Sequence, residues 1–385
     1  MFSWSIYWVA CIFTGIVGAT AKSQAANRIY QIMLLVVSMG LISLGLKVTP
    51  VPLAILFGFV LIAVLLIRMR LSVMWVLIPV VLLWAVAKCI GFVLDPALPL
   101  AGFVGISYFV VKLLTFLRDY QSGLVKNPKL ITALNYLFFA PTFLAGPMHY
   151  YREFDKSVKD PKLPSPNQII PLVFRILWGA VKTLVLSPLL SPHGMPVPDG
   201  LSISGSELLI RAFIFTFQLY FEFSGYSDMA IGSSKLMGIQ TPENFNNPLI
   251  SRNVVEFWQR WHISLMRAIT GYVYVPLARK FATVKVAGPK LTMAVVTVTA
   301  FTVSGFWHGG SLNFILWGIY NAGIIVAYEI CRPYLAGFNK LQLFAGPGMQ
   351  WVVRACSVGT TLFFISLGWI LFNMNSASLW KFTGL

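Results

Sequence analysis

The sequence predicts an all-helical polytopic membrane protein, and three observations carry that prediction. Of 385 residues, 57% are hydrophobic and 11% are charged, against about 25% charged in a soluble domain. Long, nearly uncharged apolar runs recur along the chain, each able to cross a hydrocarbon core of roughly 30 Å. The basic residues fall in short clusters between those runs rather than on a separate polar module.

The elements follow in order. The opening segment, MFSWSIYWVACIFTGIVGAT, lacks the basic start of a cleavable signal and reads as a retained span. Lys22 and Arg28 come next and place the first loop in the cytoplasm, because short cytoplasmic loops are rich in Lys and Arg. The runs Ile29–Leu46, Val51–Ile67 and Leu71–Leu94 give further spans, with Arg68 and Arg70 inside. Residues 101–117 form another span, which returns the chain to the cytoplasm at Lys126 and Lys129. Leu134–Gly146 is short, contains Pro141, and precedes the basic loop Arg152–Lys162. A crossing there would leave that basic loop outside, so the segment is expected to re-enter, as irregular backbone does where protein buries it. Spans over 169–190 and 207–232 flank Ser191–Ser206, which has no Lys or Arg and is expected outside. Leu249–Lys290 carries seven basic residues against Glu256 alone, and is expected to be an amphipathic cytoplasmic region. Leu291–Trp307, Leu312–Tyr328 and 350–372, with the run Ala355–Phe372 at its heart, complete a count of ten spans. No repeat, soluble domain or low-complexity linker interrupts the chain. It reads as one integral membrane domain over 1–385, with N-terminal spans in 1–100 and a core in 104–375.

The net charge of +17 arises from 29 Lys and Arg against 12 Asp and Glu. In such a chain it sets orientation and attracts anionic lipid; nucleic acid is not an expected partner. Cys11, Cys89, Cys331 and Cys356 stand singly in apolar stretches and read as small buried hydrophobes, neither disulfides nor metal ligands. There is no phosphate-cradling Gly loop, nucleophile elbow, HExxH or Cys/His cluster. No metal is expected.

Two of the four histidines are in unusual company. His308 lies in Ser304-Gly-Phe-Trp-His-Gly-Gly310, where two apolar runs meet. An ionisable group there is expensive and points to function, and a neutral imidazole can take a proton near pH 7. A histidine that ties two helices together is the alternative. His262 lies in Val255-Glu-Phe-Trp-Gln-Arg-Trp-His-Ile-Ser264. Helical spacing puts Trp258, Trp261, His262 and Leu265 on one face and Arg260, Ser264 and Arg267 on another, with Glu256 and Arg260 able to pair. An interfacial helix with an aromatic belt and a site explain that pattern equally well. Glu222 and Asp228 do not share a helical face, so they are expected to anchor arginines of the basic region rather than act as an acid/base pair. His149 is ambiguous, and His193 is expected in solvent.

Five ordered segments carry a resemblance. They are Phe143-Leu-Ala-Gly-Pro-Met-His-Tyr-Tyr-Arg-Glu-Phe154, Phe223-Ser-Gly-Tyr-Ser-Asp-Met-Ala-Ile-Gly232, Pro242-Glu-Asn-Phe-Asn-Asn-Pro248, Glu256-Phe-Trp-Gln-Arg-Trp-His-Ile-Ser264 and Phe306-Trp-His-Gly-Gly310. Over residues 104–375 the chain resembles the membrane-bound O-acyltransferases (MBOAT), in the bacterial branch of alginate O-acetyltransferases and teichoic acid D-alanyl transfer proteins. The resemblance implies a helical fold around a central funnel in the bacterial inner membrane. A thioester donor would enter from the cytoplasm, acetyl-CoA or an acyl carrier protein, and a hydroxyl acceptor from the other side. It places the family's essential histidine on His308 and its second polar position on His262. Trp307, Trp258, Trp261, Arg260, Tyr226 and Asn244 are the expected substrate-binding residues. The first expectation is acetyl transfer to an extracytoplasmic polysaccharide through a periplasmic or surface partner protein. D-alanyl transfer from a carrier protein is the alternative, and a lipid or polysaccharide flippase the alternative of another class.

Overall fold

A computed structural model describes residues 14–18, 20, 23–46, 50–69, 71–93, 106–195, 203–284, 288–338 and 347–374. The expected first span and Cys11 lie largely outside these residues. Among them all regular structure is helical. Five helical stretches are long and apolar enough to cross a membrane: Gln24–Ser43, Pro166–His193, Pro289–His308, Leu312–Leu335 and Gly348–Asn373. Two shorter apolar helical stretches, Leu56–Arg68 and Met74–Val86, fall on expected spans.

The chain divides into two compact units that interleave along the sequence: Met1–Val181 with Gly225–Glu243, and Lys182–Ser224 with Asn244–Leu385.

The first unit contains α1 (Gln24–Leu46), α2 (Pro50–Arg68), α3 (Met74–Val93), α4 (Ile106–Gln121), α5 (Leu130–Leu137), α6 (Ala140–Phe143), α7 (Tyr151–Lys159) and α8 (Pro166–Val181). The segment expected to re-enter is α5 and α6, of 8 and 4 residues. At about 1.5 Å per residue neither spans a bilayer. Phe138, Phe139 and Phe143 around them are buried in one cluster with Tyr30, Leu113 and Phe154. Two buried polar side chains there bond across to α1: Asn135 Nδ2 donates to the Gln31 carbonyl at 2.9 Å and Thr132 Oγ1 to Gln31 Oε1 at 3.1 Å. His149 is a core residue of this unit, stacked on Phe154 at 5.1 Å and edge-on to Tyr136 at 5.6 Å. Arg175, within the apolar α8, donates Nε to Asp228 at 2.8 Å and NH1 to Glu243 at 2.8 Å. Asp228 therefore anchors an arginine as expected. That arginine comes from a neighbouring helix and not from the basic region.

The second unit contains a π-helical turn (Lys182–Leu186), α9 (Ser187–Leu190), most of α10 (Gly205–Leu236), α11 (Val254–Arg260), α12 (Ile263–Ile269), a π-helical turn (Thr270–Tyr274), α13 (Val275–Val284), α14 (Pro289–His308), α15 (Leu312–Phe338) and α16 (Pro347–Asn373). Helices α14 and α15 form a tight hairpin because small residues let the backbones meet. A Cβ on Gly305 would collide with the Phe314 carbonyl, and one on Gly318 with that of Phe301. The region expected to be a basic amphipathic segment is folded into this unit. Its α11 buries Val254, Phe257 and Trp258 in one cluster with Phe301, Trp317 and Trp369. The buried indoles set aside the reading of an aromatic belt at the interface. Glu222 is exposed, as is His193. Cys331 and Cys356 are free and exposed, contrary to their expected burial, because they stand at the surface of the long apolar helices α15 and α16 and not between packed helices.

Candidate active site

The site is built on a break between two short helices. Helix α11 starts on Asn253, whose side-chain oxygen accepts from Glu256 N–H at 2.8 Å. Glu256 and Arg260 form the expected i,i+4 pair at 2.6 Å. The helix stops after Arg260: Trp261 is extended, and His262 sits in the left-handed region at φ 47°, ψ 48°. A non-glycine residue there costs about 1–2 kcal/mol, so its surroundings must impose it. They do so through the preceding loop. Asn246 N–H donates to the Arg260 carbonyl at 3.0 Å and Ile263 N–H to the Asn244 carbonyl at 2.9 Å.

The Asn244 side chain completes the clamp and sets the imidazole. Its Oδ1 accepts from Ser264 N–H at 3.3 Å and Ser264 Oγ at 2.8 Å, and lies 3.1 Å from His262 Nδ1. A backbone N–H can only donate, so the atom facing Ser264 is the amide oxygen, and the histidine nitrogen facing it must carry the proton. His262 is thus the Nδ1–H tautomer, with the lone pair on Nε2. It is 3% exposed and lies in the turn between helices, outside the apolar spans. Burial, and then neighbouring His308, hold its imidazole well below the ordinary range, so it is neutral at pH 7.

Trp307 joins the two histidines. Its ring is 5.9 Å from His262 and 4.7 Å from His308. Phe223 closes the other side of His262, edge-on at 4.6 Å. His308 ends α14, where Gly309 N–H donates to the Gly305 carbonyl at 3.2 Å. Trp317 and Phe372 stand edge-on to it, both at 5.2 Å. His308 is half-buried, whereas Trp307 and His262 are buried. An imidazole reachable on one side and walled by aromatic rings can remove a proton from a hydroxyl while water is kept away.

The family model for membrane-bound O-acyltransferases matches residues 34–367. The chain belongs to that family. An MBOAT protein is an acyltransferase of the membrane, and this chain is one. It is 28% identical over 295 residues to a teichoic acid D-alanyltransferase of Streptococcus thermophilus, covering 73% of this chain and 70% of the relative. It is 28% identical over 314 residues to a peptidoglycan O-acetyltransferase of Helicobacter pylori, covering 73% of this chain and 55% of the relative. A probable alginate O-acetylase of Azotobacter vinelandii is 26% identical over 287 residues, with 72% and 52% covered.

In this MBOAT chain five of the expected site residues come together within the second unit. His308, His262, Trp307, Trp258 and Trp261 belong to one aromatic assembly: Trp258 is edge-on to Trp317 at 5.6 Å, and Trp261 lies 5.8 Å from Trp369. Asn244 is beneath it, committed to His262 and Ser264. Arg260 is engaged by Glu256, with its NH1 3.5 Å from the Asn246 carbonyl. Tyr226 belongs to the first unit, where its hydroxyl donates to the Pro141 carbonyl at 3.2 Å. Sequence reasoning missed Phe223, Trp317, Trp369 and Phe372. Phe223 opens one of the five family segments; for the other three the signal was aromatic character within apolar runs, which also describes ordinary core residues. Among the described residues no three metal-ligating side chains cluster.

Proposed function

We propose that this enzyme transfers an acetyl group from a cytoplasmic thioester donor, acetyl-CoA, to a hydroxyl of an extracytoplasmic polysaccharide. The observation that supports this reading is the convergence of His308 and His262 on Trp307 within one aromatic enclosure. His308 acts as general base on the acceptor hydroxyl; the oxygen attacks the thioester carbonyl, the C–S bond breaks, and the thiolate leaves with a proton returned from the imidazolium. His262 holds the donor side. The rings nearest His308 are Trp307, Phe314, Trp317 and Phe372, which suit an uncharged methyl ketone-like group. In this reading ten spans surround a funnel in the bacterial inner membrane, Leu249–Lys290 faces the cytoplasm, Ser191–Ser206 faces outside, and a periplasmic or surface protein carries the acyl group onward.

D-alanyl transfer from a carrier protein is the second reading. It is supported by similarity, because the chain is as close to a teichoic acid D-alanyltransferase as to the peptidoglycan O-acetyltransferase, at 28% identity to each. Aromatic faces also accept an ammonium group. Purified protein in liposomes, offered labelled acetyl-CoA or labelled D-alanyl carrier protein, decides between them. Covalent label on an acceptor hydroxyl from acetyl-CoA alone is expected. Label from the D-alanyl donor alone would replace the acetyl reading, and movement of lipid without covalent label would replace both.

A further inference from the structure

A groove of about 680 Å³ runs between α15 and α16, entirely within the second unit. Ile324, Tyr328 and Leu335 form one wall and Val352, Val353 and Phe364 the other. The volume falls in the range of about 300–1,000 Å³ usual for sites that hold a small ligand. One charged residue lines it, Arg252, at the entry to α11. Its guanidinium is exposed and makes no ion pair among the described residues. The nearest candidate carboxylate in sequence is already used: Glu256 Oε1 pairs with Arg260, and Oε2 accepts from the Arg252 backbone N–H at 2.7 Å. An exposed arginine at the rim of apolar helices offers its positive charge to an anionic headgroup.

We infer that this groove is a binding site for one glycerophospholipid, with an acyl chain between α15 and α16 and the phosphate on Arg252. Charge complementarity selects that occupant. The apolar walls suit a hydrocarbon chain, and a planar guanidinium suits a phosphate diester. Aromatic residues support a lipid-facing setting: Trp351 is 69% exposed and stacks against Arg354 at 5.6 Å, and Tyr334 is 79% exposed. Exposed Trp and Tyr of this kind gather at headgroup level. The site is separate from the rings around His308, which contribute none of its lining residues.

Native mass spectrometry of the delipidated full chain, titrated with phosphatidylglycerol, diacylglycerol or coenzyme A, tests the site. The wild type should retain one phosphatidylglycerol and bind diacylglycerol more weakly. Arg252→Gln should weaken phosphatidylglycerol about tenfold, the loss of one charge-assisted contact, and bring it level with diacylglycerol. Ala327→Trp, at an exposed lining position, should fill the groove and abolish both. Neither side chain supports the core, so thermal stability without lipid should match the wild type. Equal retention of the two lipids by the wild type, unchanged binding in either variant, or displacement of phosphatidylglycerol by coenzyme A would overturn the inference.

Discussion

Asn244 carries the most concentrated demand in the site. Its Oδ1 serves Ser264 N–H, Ser264 Oγ and His262 Nδ1 at 3.3, 2.8 and 3.1 Å, with the asparagine 1% exposed. Asn244→Ala removes the acceptor and strands three donors in a place water does not reach. Each stranded donor costs about 1–3 kcal/mol. The hydroxyl can rotate toward another acceptor, so the two N–H groups dominate and the total is about 2–6 kcal/mol. The left-handed His262 also loses what imposes it, and relaxation would move its ring away from Trp307. Thermal unfolding in detergent should show a clear drop in Tm, and transfer should fall even at temperatures where the variant is folded. Asn244→Asp keeps the acceptor and should recover most of the stability. A variant Asn244→Ala with wild-type Tm and wild-type transfer would refute the tautomer argument.

Other predictions follow from the same packing. Gly305→Val should force α14 and α15 apart at the Phe314 carbonyl and destabilise by about 1–3 kcal/mol, read as a lowered Tm; an unchanged Tm would mean the hairpin tolerates separation. His262→Asn, a residue that tolerates left-handed backbone, should unfold at a higher temperature than His262→Ala, while both lose transfer; the reverse order would remove backbone strain as the reason. Arg175 holds the Glu243 carboxyl below the usual carboxylate range. That ion pair contributes stability above a carboxylate's ordinary pKa near 4.3 and loses it as pH falls through the lower folded value. A Tm-versus-pH curve of Glu243→Gln should therefore lie below wild type at pH 7 and converge with it in acid; parallel curves would show the pair to be inert.

The fold was legible where hydropathy decides it. Ile29–Leu46 became Gln24–Leu46, Val51–Ile67 became Pro50–Arg68, and Leu291–Trp307 became Pro289–His308. The family motifs also named both histidines. What could not be read was the packing of Leu249–Lys290, because its basic residues describe a loop while its burial is imposed from elsewhere. The helical wheel put Trp258, Trp261, His262 and Leu265 on one face and all four are buried, yet so is Ser264 from the other face, because the helix it assumed is interrupted at Trp261 and His262. The interruption depends on Asn244 and Asn246, which lie upstream and act through backbone bonds that spacing does not encode. Asp228 shows the same limit, since its partner Arg175 is 53 residues away.

We propose His308 as the base of the acyl transfer, and a single comparison tests it. Wild type and His308→Ala are reconstituted in liposomes with labelled acetyl-CoA and a hydroxyl acceptor, and Tm is measured on the same samples. The ring is half-buried at the end of its helix, so the variant should keep the wild-type Tm to within a few degrees. Transfer should fall by about 10²–10⁴-fold, the usual contribution of a general base. A folded variant that still transfers at near the wild-type rate would contradict the account, and loss of folding in both His308→Ala and His308→Gln would make the residue a structural tie between α14 and α15.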